Sequence, residues 1–120
     1  MRRSRGDSGA ATAELAMALP LLLAVTVGLV WLLSVAAAQI RVVDAARESA
    51  RAAARGESSA EAVARGLDVA PPGSRVTVST NGDRVTAAAE GNVSGPGGLF
   101  GFLPGVTLHA EAVAATEPAP

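Results

Sequence analysis

The sequence contains no cysteine, which excludes disulfide bonds and thiolate metal sites. It contains a single histidine, His109, so a site built from two imidazoles is excluded as well. Neither an HExxH motif nor a GK[ST] motif after a glycine-rich turn is present. We therefore predict that the chain is not an enzyme and that it uses no cofactor, metal or small-molecule substrate.

Aromatic residues and net charge are also scarce. Phenylalanine and tryptophan together make up 2% of the chain, and the formal net charge is −1, which gives no reason to expect binding to nucleic acid. All 10 basic residues are arginine, and alanine, glycine and valine are abundant, a bias typical of GC-rich bacterial genomes. With so few large side chains, residues 41–120 can bury little apolar area, and we expect them to be marginally stable on their own.

One long apolar run is present, and it predicts a membrane span. No charged residue occurs from Leu15 to Ile40, and a helix needs about 20 apolar residues to cross the hydrocarbon core. Three arginines precede the run, and positive charge next to a span favours the cytoplasmic side; these are Arg2, Arg3 and Arg5. We expect a single span over residues 10–40, with the N-terminus inside and the C-terminal part outside.

Helical periodicity continues past the span and is followed by a second, shorter helix. Val43, Ala46 and Ala50 repeat at helical spacing and predict a packed face, while Arg47, Arg51 and Arg55 line another face. Ser58 to Glu61 fits a capping box at the start of a second helix, which Gly66 is expected to end. Helical structure is therefore predicted over residues 41–66.

Beyond a Pro-Pro-Gly break the pattern changes to strands. Residues 75–80 alternate, Asn81-Gly82 predicts the centre of a type I′ hairpin, and Arg84–Val93 returns as a second strand. A third strand, Val106–Thr116, would place Val106, Leu108 and the alternating alanines on one face. The predicted fold is α+β: a long N-terminal transmembrane helix that extends into a small exported domain, residues 41–120, with a short helix and a three-stranded antiparallel meander over residues 75–116.

The residues around the start of the span carry the most specific pattern. Gly9 is followed by a small residue, Ala10, and by Glu14, which would be fifth in a chain that begins at Ala10. With the apolar run and the Ala/Arg-rich residues 45–54, this stretch resembles the TadE-like family of minor pilins or pseudopilins from tight-adherence (Flp) type IV pilus systems.

The resemblance implies a function and three site residues. A prepilin peptidase would remove the leader, residues 1–9, between Gly9 and Ala10. Glu14 would attract the new N-terminal amine of a neighbouring subunit during pilus assembly. Independently of the resemblance, Pro20 is expected to kink the helix, because proline removes one backbone hydrogen bond. The implied partners are membrane lipid, the prepilin peptidase, other pilin subunits and the assembly machinery, at the bacterial cytoplasmic membrane or in the pilus.

Other interpretations of these features remain open at this stage. Glu14 alone also fits a cap at the headgroup level, and the Pro20 kink is tolerated in many spans. Ala36 to Ala38 fits the cleavage rule of an ordinary signal peptide, which would release a small binding protein that begins at Gln39. An uncleaved anchor is a third interpretation. Leu99 to Leu103, which holds both phenylalanines, fits either an exposed apolar loop or core material folded against the sheet.

Overall fold

The first element of the computed structural model is a long helix, α1, which spans Ser4–Ala54. The structure describes residues 4–97 and 101–118. Alanine and leucine dominate α1, so helix propensity favours it throughout. It ends in a Schellman motif, in which Gly56 (φ +93°) and Glu57 donate their amides to the carbonyls of Ala53 and Ala52. The predicted long apolar helix is confirmed.

Within the described residues, α1 is the one helix long and apolar enough to cross a membrane. Its most apolar window has a mean hydropathy of 2.4, and only 6% of that window is buried. The chain divides into two compact units, Met1–Leu32 and Leu33–Pro120. The first is helical where described, and its leucines and valines are mostly exposed, as expected for side chains that face lipid.

The second helix, α2, spans Ser59–Val69 and begins as predicted. Ser58 is its N-cap, and the reciprocal bonds between Ser58 and Glu61 complete the capping box. The prediction that Gly66 ends this helix was wrong, because α2 continues to Val69. It stops where Ala70 takes the extended conformation favoured before a proline, here Pro71.

Three antiparallel strands follow in the order β1-β2-β3, and they confirm the predicted meander. They are β1 (Arg75–Asn81), β2 (Arg84–Val93) and β3 (Val106–Ala115). The hairpin turn lies one residue later than predicted, since Asn81 pairs with Arg84 and the loop is Gly82-Asp83. Of these two loop residues only Gly82 has a positive φ, +64°, which excludes the predicted type I′ turn and matches the glycine of a type II′ turn.

The core of the Leu33–Pro120 unit is built from small side chains. Val42 and Val85 are its largest fully buried apolar residues. The buried face of α1 is centred one residue away from the prediction, because Val42 is fully buried whereas Val43 is half-buried. Ala46 and Ala50 are buried as predicted, and the three arginines of the other face are exposed. The core cluster consists of Ala38, Val42, Ala45, Ala46, Ala70, Val76, Ala89 and Leu108.

Some of the predicted features lie outside the described residues. These are the first part of the leader, with Arg2 and Arg3, and two residues of the apolar loop, Leu99 and Phe100. The described part of that loop shows Phe102 to be 78% exposed. The alternative in which this phenylalanine supplies core material is therefore wrong, because its ring does not pack on the sheet.

Candidate functional site

The candidate site begins with Gly9 and Ala10, which are adjacent in α1, and Glu14 follows one turn later. All three positions are exposed and lie in regular helix. Ala10 and Glu14 are separated by one turn and so share a face. A Cβ placed on Gly9 would meet nothing within 4 Å, so packing within the chain does not require glycine there. Glycine in a helix costs about 1 kcal/mol relative to alanine. The absence of a folding reason for Gly9 is consistent with recognition by another protein.

Glu14 makes no hydrogen bond or salt bridge to any side chain that the structure describes. Two residues before it, the Thr12 hydroxyl donates to the Ser8 carbonyl at 2.8 Å, so this neighbouring polar group is satisfied locally. Immediately after it, Leu15 is 65% exposed and Met17 is 81% exposed. The carboxylate thus stands at the start of an apolar surface with its charge available to a partner, an arrangement that is usually functional in membrane helices.

Pro20 lies inside α1, and helical structure continues on both sides of it. Proline has no amide hydrogen, so the carbonyl of Ala16 lacks its usual donor one turn later. Further along, the Thr26 hydroxyl donates to the Leu22 carbonyl at 2.8 Å, which keeps that polar group satisfied inside the apolar run. The helix therefore lacks one backbone hydrogen bond at Pro20, and a kink there stays a prediction.

Arg41 joins α1 to the end of α2. Its Nε donates to the Val69 carbonyl at 3.2 Å, and its Nη2 donates to the Ala70 carbonyl at 3.1 Å. The C-terminus of a helix carries partial negative charge and unpaired carbonyls, so a guanidinium is a favourable cap there. Arg41 therefore has a structural role, which the sequence analysis missed because long-range capping leaves no local pattern.

Ser49 and Gly66 join the two helices at a second point. The Ser49 hydroxyl is buried and donates to the Ala62 carbonyl at 2.8 Å. A Cβ on Gly66 would overlap the Ser49 Oγ and would lie 3.1 Å from the Ala45 carbonyl oxygen. Gly66 thus permits the close approach of α2 to α1, which explains why a glycine occurs in the middle of that helix.

The charged residues at the α1–α2 connection form a small ion-pair network around Glu57. Arg65 Nε contacts the Glu57 carboxylate at 2.7 Å, and Arg55 contacts it at 3.3 Å. The hydrogen bond from Arg65 is the main reason that the pKa of Glu57 lies below its ordinary value. The same bond raises the pKa of Arg65. Surface pairs of this kind contribute little to stability and suggest no chemistry.

Within residues 4–97 and 101–118, no group of three His, Asp or Glu side chains could hold a metal ion. His109 is exposed on β3, and its backbone carbonyl accepts a bond of 3.4 Å from the Gln39 side chain. One depression at the surface is open to solvent and is lined by Glu57 and by Glu61, Ala64, Arg65 and Asp68 of α2. The candidate site is therefore the N-terminal part of α1 and not a pocket.

The sequence model of the family described as TadE-like protein matches residues 9–51. We call these residues the TadE-like segment, because they are similar to that family. The resemblance seen in the sequence is thereby confirmed over these residues. No curated protein matches the chain, and no solved structure matches it.

The TadE-like segment begins at Gly9 and lies entirely within α1. It includes Glu14 and Pro20, and it ends three residues before the helix does. Neither α2 nor the sheet belongs to it. The apolar part of the TadE-like segment is compatible with a single-pass membrane anchor.

Proposed function

We propose that the chain is a minor pilin or pseudopilin that takes part in the assembly of a Tad (Flp) pilus, with a structural rather than enzymatic role. The observation that carries the proposal is the TadE-like match, which begins at Gly9 and includes Glu14. The unpartnered state of Glu14 among the described side chains supports it, because an assembly contact needs a charge that the chain does not itself neutralise.

The proposed life cycle begins in the cytoplasmic membrane. Residues 10–40 cross the bilayer, the arginine-containing leader lies inside, and the domain at residues 41–120 lies outside. A prepilin peptidase cuts between Gly9 and Ala10. The new α-amine of Ala10 then pairs with Glu14 of a neighbouring pilin subunit, at a lipid boundary where the attraction is poorly screened.

The packing of α1 argues against the signal-peptide alternative. Ala38 is 9% exposed and belongs to the core cluster, and Val35 packs against the same cluster. Cleavage after Ala38 would remove both residues from the core of the unit that it releases. An anchor that keeps α1 intact retains this packing.

The test is replacement of Glu14 by alanine in a strain that makes Tad pili. We expect the variant to insert and to be cleaved normally, because losing a charge at the edge of a span eases insertion. We expect pili to be absent or strongly reduced in the sheared fraction. Glu14→Asp should restore some assembly, since it keeps the charge with a shorter reach.

Asp44→Ala provides the matched control. Asp44 is also an exposed acidic residue on α1, without a salt bridge to the described residues, but it lies beyond the apolar run. Its replacement should leave piliation unchanged. Normal piliation by Glu14→Ala, or equal losses in both variants, would remove the support for a specific assembly contact at Glu14.

A further inference from the structure

The segment that connects β2 to β3 lacks charge over an unusual length. No Asp, Glu, Lys, Arg or His occurs from Gly91 to Leu108, although charged residues are frequent elsewhere beyond the span. The described end of this connection contains Phe102, which is 78% exposed, followed by Leu103, which is half-buried, and by Pro104, which is exposed. We call residues 101–104 the apolar tip.

The position of the apolar tip follows from the packing of the two strands that flank it. Val93 ends β2 and Val106 begins β3, and these two residues pair with each other. Both pack against the core cluster that includes Ala38, as does Val35. Val35 and Ala38 are in the last turns of the uncharged run of α1. The side chain of Gln39, the residue after Ala38, donates to the carbonyl of His109 on β3, three residues after Val106, so the apolar tip leaves the sheet beside the turns of α1 where the apolar run ends.

The opposite end of the sheet has a different character. The Gly82-Asp83 turn lies there, and the Asp83 carbonyl accepts a bond from the Thr116 amide at 2.7 Å. One residue further on, the Glu117 amide donates to the carbonyl of Ala54, at the other end of α1. Within this unit, Asp83 and Glu117 thus lie near the C-terminal end of α1. The uncharged connection between β2 and β3 lies near the turns of α1 where the apolar run ends.

We propose that the apolar tip lies in the headgroup region of the bilayer, with the Phe102 ring at the boundary of the hydrocarbon. This inference rests on the proposed membrane anchoring of α1. Removal of a phenylalanine ring from water is favourable, and phenylalanine is among the apolar residues that bind interfacial segments to membranes. Because the connection has no charged side chain, its approach to lipid carries no charge-desolvation penalty.

A second, remote attachment to the bilayer has a structural consequence. If α1 is the single attachment, the Leu33–Pro120 unit is free to swing about the point where α1 leaves the membrane. With the apolar tip also at the interface, the unit is held against the membrane by two points that are distant in sequence. Release of the apolar tip then accompanies any step that extracts α1 from the bilayer.

The absence of cysteine permits a direct depth measurement on the full-length chain. Single cysteines carrying a nitroxide spin label are introduced as Pro104→Cys, Val113→Cys and Leu29→Cys, and each protein is reconstituted in phosphatidylethanolamine–phosphatidylglycerol vesicles. Val113 is 57% exposed on β3 and serves as the water reference, while Leu29 is 58% exposed within the apolar run and serves as the lipid reference. The readout is label accessibility to oxygen relative to a water-soluble nickel complex.

We expect the label at position 104 to report headgroup depth, between the two references, and to shift to the water value when Phe102→Ser is added. A label at 104 that is as water-accessible as the one at 113 overturns the inference, while the lipid signal at position 29 leaves the anchor intact. A water signal at position 29 as well contradicts the anchor itself, so the two failures are distinguishable. No shift on adding Phe102→Ser overturns the role assigned to that ring.

Discussion

Gly66 of α2 lies so close to Ser49 of α1 that a Cβ on the glycine would overlap the serine hydroxyl. The same hydroxyl is fixed by its buried bond to the Ala62 carbonyl, so it cannot rotate away without losing that bond. The Ala45 carbonyl and the Val76 side chain close the space on other sides, at 3.1 and 3.2 Å from the point that such a Cβ would occupy. The contact between the two helices therefore depends on the absence of one methyl group.

Gly66→Ala should destabilise the Leu33–Pro120 unit by about 1–3 kcal/mol, the usual range for overpacking. The sign of this change in the free energy of unfolding is informative, because the same substitution at an unobstructed helix position stabilises by roughly 1 kcal/mol. Chemical denaturation followed by circular dichroism measures the difference. The double variant Gly66→Ala/Ser49→Ala should be less unstable than the sum of the single variants, since the second change removes the overlapping atom. Additive effects, or a stabilised Gly66→Ala variant, would refute the close contact.

Arg41→Met should lower the stability of the same unit by about 1 kcal/mol, because two carbonyls at the end of α2 lose a charged donor. Arg41→Lys should restore only part of the loss, since a single ammonium group does not reproduce the two-point geometry of the guanidinium. Arg47→Met is the control, because Arg47 is exposed on the same helix and has no salt bridge to a described residue. An equal effect of the Arg41 and Arg47 changes on the unfolding midpoint would contradict the capping role.

The lowered pKa of Glu57 predicts a small dependence of stability on pH. A carboxyl whose pKa is lower in the folded state contributes stability at pH values above its unfolded pKa, here near 4.5, and loses it as pH falls through the folded value. Glu57→Gln should therefore destabilise slightly at pH 7 and have no effect at the acidic end of the titration. Glu111→Gln, on the exposed face of β3, is the matched control. Equal pH profiles for the wild type and Glu57→Gln would show that the Arg65 bond has no energetic role.

The small core predicts that the Leu33–Pro120 unit is only weakly stable when isolated, and that its stability depends on the residue at which the fragment begins. The fragment of residues 41–120 lacks Val35 and Ala38, which pack against or within the core cluster. It should unfold at a lower denaturant concentration than the fragment of residues 33–120, because the lost burial lowers the free energy of unfolding by roughly 1–3 kcal/mol. Both should have low midpoints, because few large side chains are buried. A high, shared midpoint would show that the last turns of the apolar run are dispensable.

Local patterns in the sequence were sufficient to predict the elements of the fold. Three features could be read from residues that are close in sequence, and the structure confirms each of them. They are the uncharged run, the Ser58–Glu61 capping box and the alternating strand residues. One error came from a contact between distant segments. Gly66 was interpreted as a helix end because its reason, the approach of Ser49, is a tertiary contact that no local pattern shows.

At the candidate site and around it, local patterns were likewise predicted and long-range contacts were not. Gly9 and Glu14 were found from their spacing before the apolar run, and the TadE-like match covers both. The buried face of α1 was misplaced by one residue because valine occupies both position 42 and position 43 and alanine occurs on adjacent faces, so hydrophobicity alone does not choose between those faces. The role of Arg41 could not be predicted, since its acceptors lie on another helix.

The central claim is that the chain is processed as a prepilin, and the intact mass of the protein isolated from membranes tests it most directly. In a host that expresses the prepilin peptidase, we expect a chain that begins at Ala10. Gly9→Leu should block this cleavage, while Gly6→Leu should not, although a Cβ at either glycine meets nothing within 4 Å. A mass that corresponds to a chain beginning at Gln39 or at Met1, or normal processing of Gly9→Leu, would contradict the account.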